Sequence, residues 1–248
     1  MVHLGDTDVW LKSFRVRSNA RFVYQLGPDS PILPRLEYDD EQNLNQIQAT
    51  WQADPLNRLR WPDVPETYRP DLTPFDYQSR VEMPEASPQP WIVKKPGVPI
   101  GILIQRDFES KLLKNHRVIT VYTPPGYSTE AAPYNILFVF DGDTYATLVP
   151  TPVILDNLIA AKRIPPTVAV LIGNGPGNAR PRELHCNPVF ADFLQQELVP
   201  WMRGLYNVTS DTRRIAIGGS SAGGLAAAYA GFRHPESFGN VISQSGAY

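Results

Sequence analysis

The chain has 248 residues, of which 42% are hydrophobic and 19% charged, with a formal net charge of −2 at pH 7. That balance fits one large or two modest globular domains and excludes a general attraction to nucleic acid or anionic lipid, so an anionic ligand must be held by a local Arg or Lys cluster. No apolar run approaches the roughly 18 residues of a membrane helix, no basic-then-apolar signal marks the first residues for export, and the single cysteine, Cys186, rules out an internal disulfide.

The first elements read as β. Residues 9–16 and 21–26 carry β-branched and aromatic residues with partial alternation around a Ser18-Asn19-Ala20 turn, which predicts a hairpin. Two strands cannot bury a face alone, so the hairpin is expected to close a β-sandwich. Residues 28–77 are rich in Pro, Asp and Asn and predict irregular structure anchored by Leu36, Trp51, Leu56 and Trp61, the alternative being a linker. Residues 1–83 are thus one partial sandwich domain with an irregular extension. Residues 84–99 are a proline-rich spacer, and 100–248 form a second domain.

In that second domain, 100–106 and 116–122 alternate as antiparallel strands do. Residues 135–140, 167–172 and 214–218 are nearly continuous apolar runs, the mark of strands buried on both faces, and 240–245 is a weaker example. Helical patterns at 151–161, 188–206 and 222–233 alternate with them. The expected fold is α/β: a mixed, mostly parallel sheet with helices on both faces.

The chemistry is concentrated at residues 214–225, where Gly219-x-Ser221-x-Gly223 directly follows an apolar strand and directly precedes an alanine-rich helix. A nucleophile elbow needs this arrangement: a strained strand-to-helix turn thrusts the hydroxyl out, and small neighbours make room for it. The helix N-terminus then places backbone N–H groups beside a developing oxyanion. This predicts the α/β-hydrolase arrangement with Ser221 as nucleophile, the alternative being a Gly-rich turn that only packs a helix close to a sheet. Ser220 lacks the second glycine in its frame. The first oxyanion donor is expected at Ala222 and the second at the backbone of Gly142 or Asp143, after the most apolar strand. The Asp141-Gly142-Asp143 turn holds too few oxygen ligands to predict a metal site.

In this architecture the acid and base follow the serine in chain order. Beyond Ser221 there is one histidine, His234, and one carboxylate, Glu236. Both fall at the far end of the helix that starts at the nucleophile, about 20 Å away at 1.5 Å per residue. His234 is therefore read as a cation at a helix C-terminus. His116 and His185 precede the serine and would break the usual order.

Taken together these segments resemble the enterochelin (ferric enterobactin) esterase family. Beside the nucleophile turn, the likeness runs through Gly5–Trp10, Asp54-Pro55-Leu56-Asn57, Val121–Tyr127, Phe138–Gly142, Arg180–Asn187, Gln195–Trp201, His234–Gly239 and Ser243–Gly246. The Arg180-x-x-Glu183-Leu184-x-Cys186-Asn187 run, followed by a helix, is its most specific part. The resemblance implies an immunoglobulin-like sandwich before the hydrolase domain, and cytoplasmic hydrolysis of the serine trilactone of ferric catecholate siderophores. It implies no resident cofactor, iron entering only as part of the substrate, and no nucleic-acid or membrane partner. It further implies that the chain begins within the sandwich and stops before the triad Asp and His, so that the isolated chain is expected to be inactive. Arg180, Arg182 and Glu183 are the candidate substrate-binding residues, on a loop at the ligand-binding edge of the sheet, the arginines suited to catecholate oxygens. The alternative for them is an Arg180–Glu183 or Arg182–Glu183 pair that fixes the loop, and Cys186 is expected to be a small buried hydrophobe. Alternative functions are a feruloyl or acetyl esterase acting on carbohydrate, and a binding module without catalysis.

Overall fold

A computed structural model describes residues 2–8, 10–28, 30, 46–62 and 77–248. They fall into two compact units, Met1–Gln89 and Pro90–Tyr248.

In the first unit, β1 (Val2–His3) pairs with β2 (Trp10–Leu11), and β3 (Arg21–Tyr24) and β4 (Arg60–Trp61) flank β5 (Gln78–Glu82), all antiparallel. The expected 9–16/21–26 hairpin is not what forms. Its first arm shrinks to β2, Val9 lies outside the described residues, and the second arm finds its partner some sixty residues on. The sequence QSRVE of β5 is too polar to announce a strand, yet Arg21–Glu82 at 3.1 Å locks its register to β3. Among the expected anchors, Leu56 is instead 91% exposed, and Leu36 lies outside the described residues. The Asp54–Asn57 turn is held by polar groups: Asp54 accepts from the Tyr24 hydroxyl at 2.6 Å and from Leu56 N–H, and Asn57 donates to Arg80 O. The Tyr24 hydroxyl is what chiefly holds the Asp54 carboxyl below its usual range.

The proline-rich spacer is tethered at both ends. Met83 N–H and Glu85 N–H donate to Ala20 O and Ser18 O in the first unit. The Asn157 side chain donates to Trp91 O and Val93 O in the second.

The second unit is a six-stranded sheet. Its strands are β6 (Ile102–Ser110), β7 (Asn115–Thr123), β8 (Asn135–Val139), β9 (Thr167–Ile172), β10 (Ile215–Ser220) and β11 (Asn240–Gln244), in spatial order β11-β10-β8-β9-β7-β6. Only β7 runs against the others. Period-two alternation divides each central strand between two cores. Ile136, Phe138, Val168, Val170, Ile215 and Ile217 face one side, under α3 (Ala179–Leu184), α4 (Pro188–Phe193), α5 (Val199–Leu205) and α6 (Ala222–Arg233). A π-helical stretch, Leu194–Leu198, joins α4 to α5, so the expected 188–206 helix is one rod with a widened turn. Leu137, Val139, Ala169 and Leu171 face the other side, with residues of α1 (Gly142–Thr147) and α2 (Thr151–Ala160). Tyr122 anchors α2 by donating to Asp156 at 2.6 Å, and burial with that carboxylate pushes the phenol pKa far up.

From β8 the chain crosses to β9 on one side and then returns to place β10 on the other. The C-terminal ends of β8 and β10 therefore lie side by side at a topological switch point, where open α/β sheets bind ligands. Leu137, Val139, Ala216, Gly218 and Ile242 line a trough of about 410 Å³.

Candidate active site

Strand β10 ends at Ser220 and α6 begins at Ala222, leaving Ser221 alone in the turn with φ 54°, ψ −121°. A non-glycine residue holds such a conformation only where its surroundings impose it. Here they do: Ser221 N–H donates to Gln244 O at 3.0 Å, and Ser221 O accepts from Leu225 N–H and Ala247 N–H. The side chain is exposed and makes no capping hydrogen bond to its own helix. The Ser221 N–H is committed to β11, and the next N–H, that of Ala222, stands at the first helical position without an intrahelical acceptor.

The glycines around the turn are not equivalent. A Cβ at Gly219 would come within 2.7 Å of the Gly223 carbonyl carbon, an impossible contact with backbone. One at Gly223 would meet nothing closer than 3.4 Å. The second tight position is Gly224, 2.9 Å from Ser243 Oγ and 3.0 Å from the Gly246 backbone, a constraint the G-x-S-x-G pattern does not contain.

At the end of β8, Phe140 N–H donates to Gly218 O and carries the β8–β10 ladder one residue on, which sets Asp141 and Gly142 beside the elbow. The Asp-Gly-Asp segment is a helix start and not the open loop expected. Gly142 and Asp143 open α1, and a Cβ on Gly142 would strike the Leu171 backbone at 2.6 Å. Their N–H groups lack intrahelical acceptors. The sequence had singled out Gly142 and Asp143; Asp141 between them and the strand carried no signal. Its backbone is left-handed (φ 54°) and its carboxylate grips Arg180, Nε to Oδ1 at 2.6 Å and Nη2 to Oδ2 at 2.9 Å. That carboxylate keeps the guanidinium more firmly protonated than an ordinary arginine.

Arg180, Arg182 and Glu183 sit on the short helix α3 instead of a loop, and they part company there. Arg180 is tied to Asp141 with its side chain 40% exposed. Arg182 is exposed, with no ion pair among the described residues. Glu183 is buried and bonded to the equally buried Arg117 at 2.7 Å and to Asn115 at 3.0 Å. Neither of the alternative Arg–Glu pairs within the helix forms, and Glu183 is withdrawn from the substrate-binding set because its carboxylate is already satisfied inside the protein. Asn187 caps α4 through Val189 N–H and Phe190 N–H and returns a hydrogen bond to Arg182 O. Leu184 enters the core. Cys186 is exposed with φ 51°, contrary to the buried hydrophobe expected. The later part of the stretch thus builds the turn from α3 into α4.

None of His116, His185 and His234 hydrogen-bonds Ser221. His116 faces Glu109 at 3.9 Å, and His234, the C-cap of α6, lies between Asp192 (2.9 Å) and Glu236 (3.0 Å). Among the described residues no group of three or more His, Cys, Asp or Glu could hold a metal, and no helix is long and apolar enough to cross a membrane.

Two family models match the chain: "Enterochelin esterase, N-terminal" over residues 1–92 and "Putative esterase" over 110–248. The chain belongs to the enterochelin esterase family. An iron(III) enterobactin esterase of Dickeya dadantii is 34% identical over 99% of this chain and 57% of its own length. The chain spans about 60% of the length of the curated family members it matches. The enterobactin esterase of Shigella flexneri, solved in the presence of enterobactin, superposes with a TM-score of 0.75 at 30% identity, covering 100% of this chain and 62% of that one. A ferulic acid esterase of Anaeromyces mucronatus shares only the fold: TM-score 0.56 and 21% identity, over 62% of each chain. The family frame accounts for the two units and for a mixed, mostly parallel α/β-hydrolase sheet with Ser221 at its elbow.

Proposed function

We propose that the protein containing this chain is a cytoplasmic serine esterase that opens the trilactone of ferric enterobactin-type catecholate siderophores, freeing iron for use. The observation that carries the reading is the elbow. A hydroxyl held outward on a strained turn, beside the free N–H groups of a helix start, is built to attack an ester carbonyl. In that reaction Ser221 Oγ forms a bond to the lactone carbon while a base takes its proton. The tetrahedral oxyanion is met by Ala222 N–H and by Gly142 or Asp143 N–H, the alkoxide leaves protonated, and water then hydrolyses the acyl-serine. No resident cofactor is required, and iron takes part only as substrate cargo. The half-exposed Arg180 and exposed Arg182 suit a strongly anionic ferric catecholate.

The proton acceptor is not among His116, His185 and His234 as they stand, so the chain alone is expected to turn over poorly. The test uses the full-length natural protein with ferric enterobactin, following linear products by chromatography and taking methyl ferulate as comparison. Ser221→Ala should lower turnover by at least about 10³-fold. Retained hydrolysis in that variant removes the nucleophile assignment, and faster cleavage of methyl ferulate removes the siderophore assignment.

A further inference from the structure

A carboxylate beside a site for an anionic substrate is a liability unless its charge is fully committed. Asp141 meets that condition. Its side chain is only 11% exposed, Oδ1 accepts from Arg180 Nε and from Asn174 Nδ2 (3.1 Å), and Oδ2 accepts from Arg180 Nη2. Oδ2 also lies 3.4 Å from the place a Cβ on Gly223 would occupy, against the first turn of the helix that carries the nucleophile. A negative charge is held favourably at that end of a helix. The carboxylate therefore packs against the elbow and is held by Asn174, and it in turn fixes the guanidinium.

A guanidinium has five N–H donors in a planar fork. Two are spent on Asp141, so three remain on the outer edge of a side chain that is 40% exposed. Arg182, two residues on, has no such partner and would have to be ordered by each ligand it met, which opposes binding.

We propose that Asp141 is a positioning residue that presents the outer edge of Arg180 to the anionic catecholate substrate, a role that rests on the function proposed above. The left-handed backbone at Asp141 belongs to this device, because it turns the side chain back across the end of β8 to meet α3.

The test is a double-mutant cycle on the chain itself, with ferric enterobactin binding read by quenching of tryptophan fluorescence. Asp141→Asn is the informative change, since Asn tolerates a left-handed backbone and keeps the fold while the charge is lost. Arg180→Ala and Asp141→Asn should each weaken binding by about tenfold, the scale of a lost charge-assisted contact, and the double variant should be within about twofold of Arg180→Ala. Wild-type binding in Asp141→Asn, or a full additional loss in the double variant, overturns the proposal. If the unaltered chain binds no ferric enterobactin, the substrate assignment fails separately. The Arg180 Nε–H resonance then decides the role of Asp141. It should exchange slowly with solvent in the wild type and quickly in Asp141→Asn, and an unchanged resonance overturns the positioning role.

Discussion

Gln244 joins Ser221 to the helix α1 by two hydrogen bonds, one at its backbone and one at its side chain. Ser221 N–H donates to Gln244 O, and the Gln244 side chain accepts from the hydroxyl of Tyr145 on α1. Strand β11 thus fixes the height of the Ser221 turn and ties it to the helix that opens with Gly142. Removing the side-chain half, by Tyr145→Phe, leaves the backbone bond and unpairs one amide oxygen. The expected cost is about 1–2 kcal/mol in a urea denaturation of the chain. No change would show that the hydroxyl is equally well satisfied elsewhere.

The elbow glycines should separate under alanine substitution. Gly219→Ala drives a methyl into the Gly223 backbone at 2.7 Å and should cost more than about 2 kcal/mol, through displacement of the turn. Gly224→Ala meets the Ser243 hydroxyl and the Gly246 backbone and should cost about 1–2 kcal/mol. Gly223→Ala, with 3.4 Å of clearance, should stay within about 1 kcal/mol of wild type. Chemical denaturation of the three variants checks the order, and Gly223→Ala as the worst of them would contradict the geometry.

Glu183 belongs to stability. Its partner Arg117 is 1% exposed, lies over the rings of Phe193 and Phe190 at 4.9 and 5.5 Å, and already leaves its Nε without an acceptor. Glu183→Ala strands that cation in the core and should cost about 3–5 kcal/mol, whereas Arg117→Met with Glu183→Leu should be close to neutral. The same denaturation measurement reads both. A single variant as mild as the double would show that water reaches the pair.

What the sequence disclosed and what it hid divide along physical lines. The buried runs of β8, β9 and β10 were legible because a strand covered on both faces is a short, continuous apolar run, too short for a buried helix. The α6 helix was legible to its last residue because an alanine-rich run continues unbroken from the elbow to Arg233. Helices α1 and α3 are six residues each, too short for any period to register, so the local sequence places Asp141 and Arg180 in loops. Their contact spans 39 positions and is set by the switch in strand order, which no local pattern encodes. Glu183 was misassigned for a related reason: its nearest cations in sequence are Arg180 and Arg182, and its real partner comes 66 residues earlier on β7. In the first unit, β5 went unseen because its stability comes from pairing on both sides and not from its own polar residues.

Acid should loosen the clasp at the far end of α6. Asp192 accepts from Arg233 at 2.9 and 3.1 Å and lies 2.9 Å from His234 Nε2. The arginine, opposed in part by burial and aided by the histidine, holds the carboxyl below its ordinary range. A carboxyl lowered by folding adds stability above its unfolded value, near 4, and that contribution fades as pH falls through the lower folded value. Wild type should therefore lose stability below about pH 4 more steeply than Asp192→Asn. Melting temperatures of the two proteins between pH 3 and 7 check this, and parallel curves would leave the clasp without a role. Solvent reaches both side chains, so the difference should be modest and should shrink with added salt.

The open half of the second face gives the last expectation. Every residue of β11 is exposed, its outer ladder groups are unpaired among the described residues, and Ile242 stands 47% exposed over the trough with Leu137, Val139 and Ala216. An unprotected strand edge beside an apolar hollow recruits further strands or apolar dyes. The chain should bind an anilinonaphthalene dye strongly and sediment increasingly as dimers and larger species as its concentration rises through the micromolar range. Ile242→Lys places a charge on the trough side of the edge, while Val241, whose methyl lies 2.5 Å from a Cβ built on Gly231, faces α6. That single change should suppress both dye binding and association with little effect on the melting temperature. If Ile242→Lys associates as the wild type does, contact is made elsewhere, and the exposed end of the sheet is not what brings copies together.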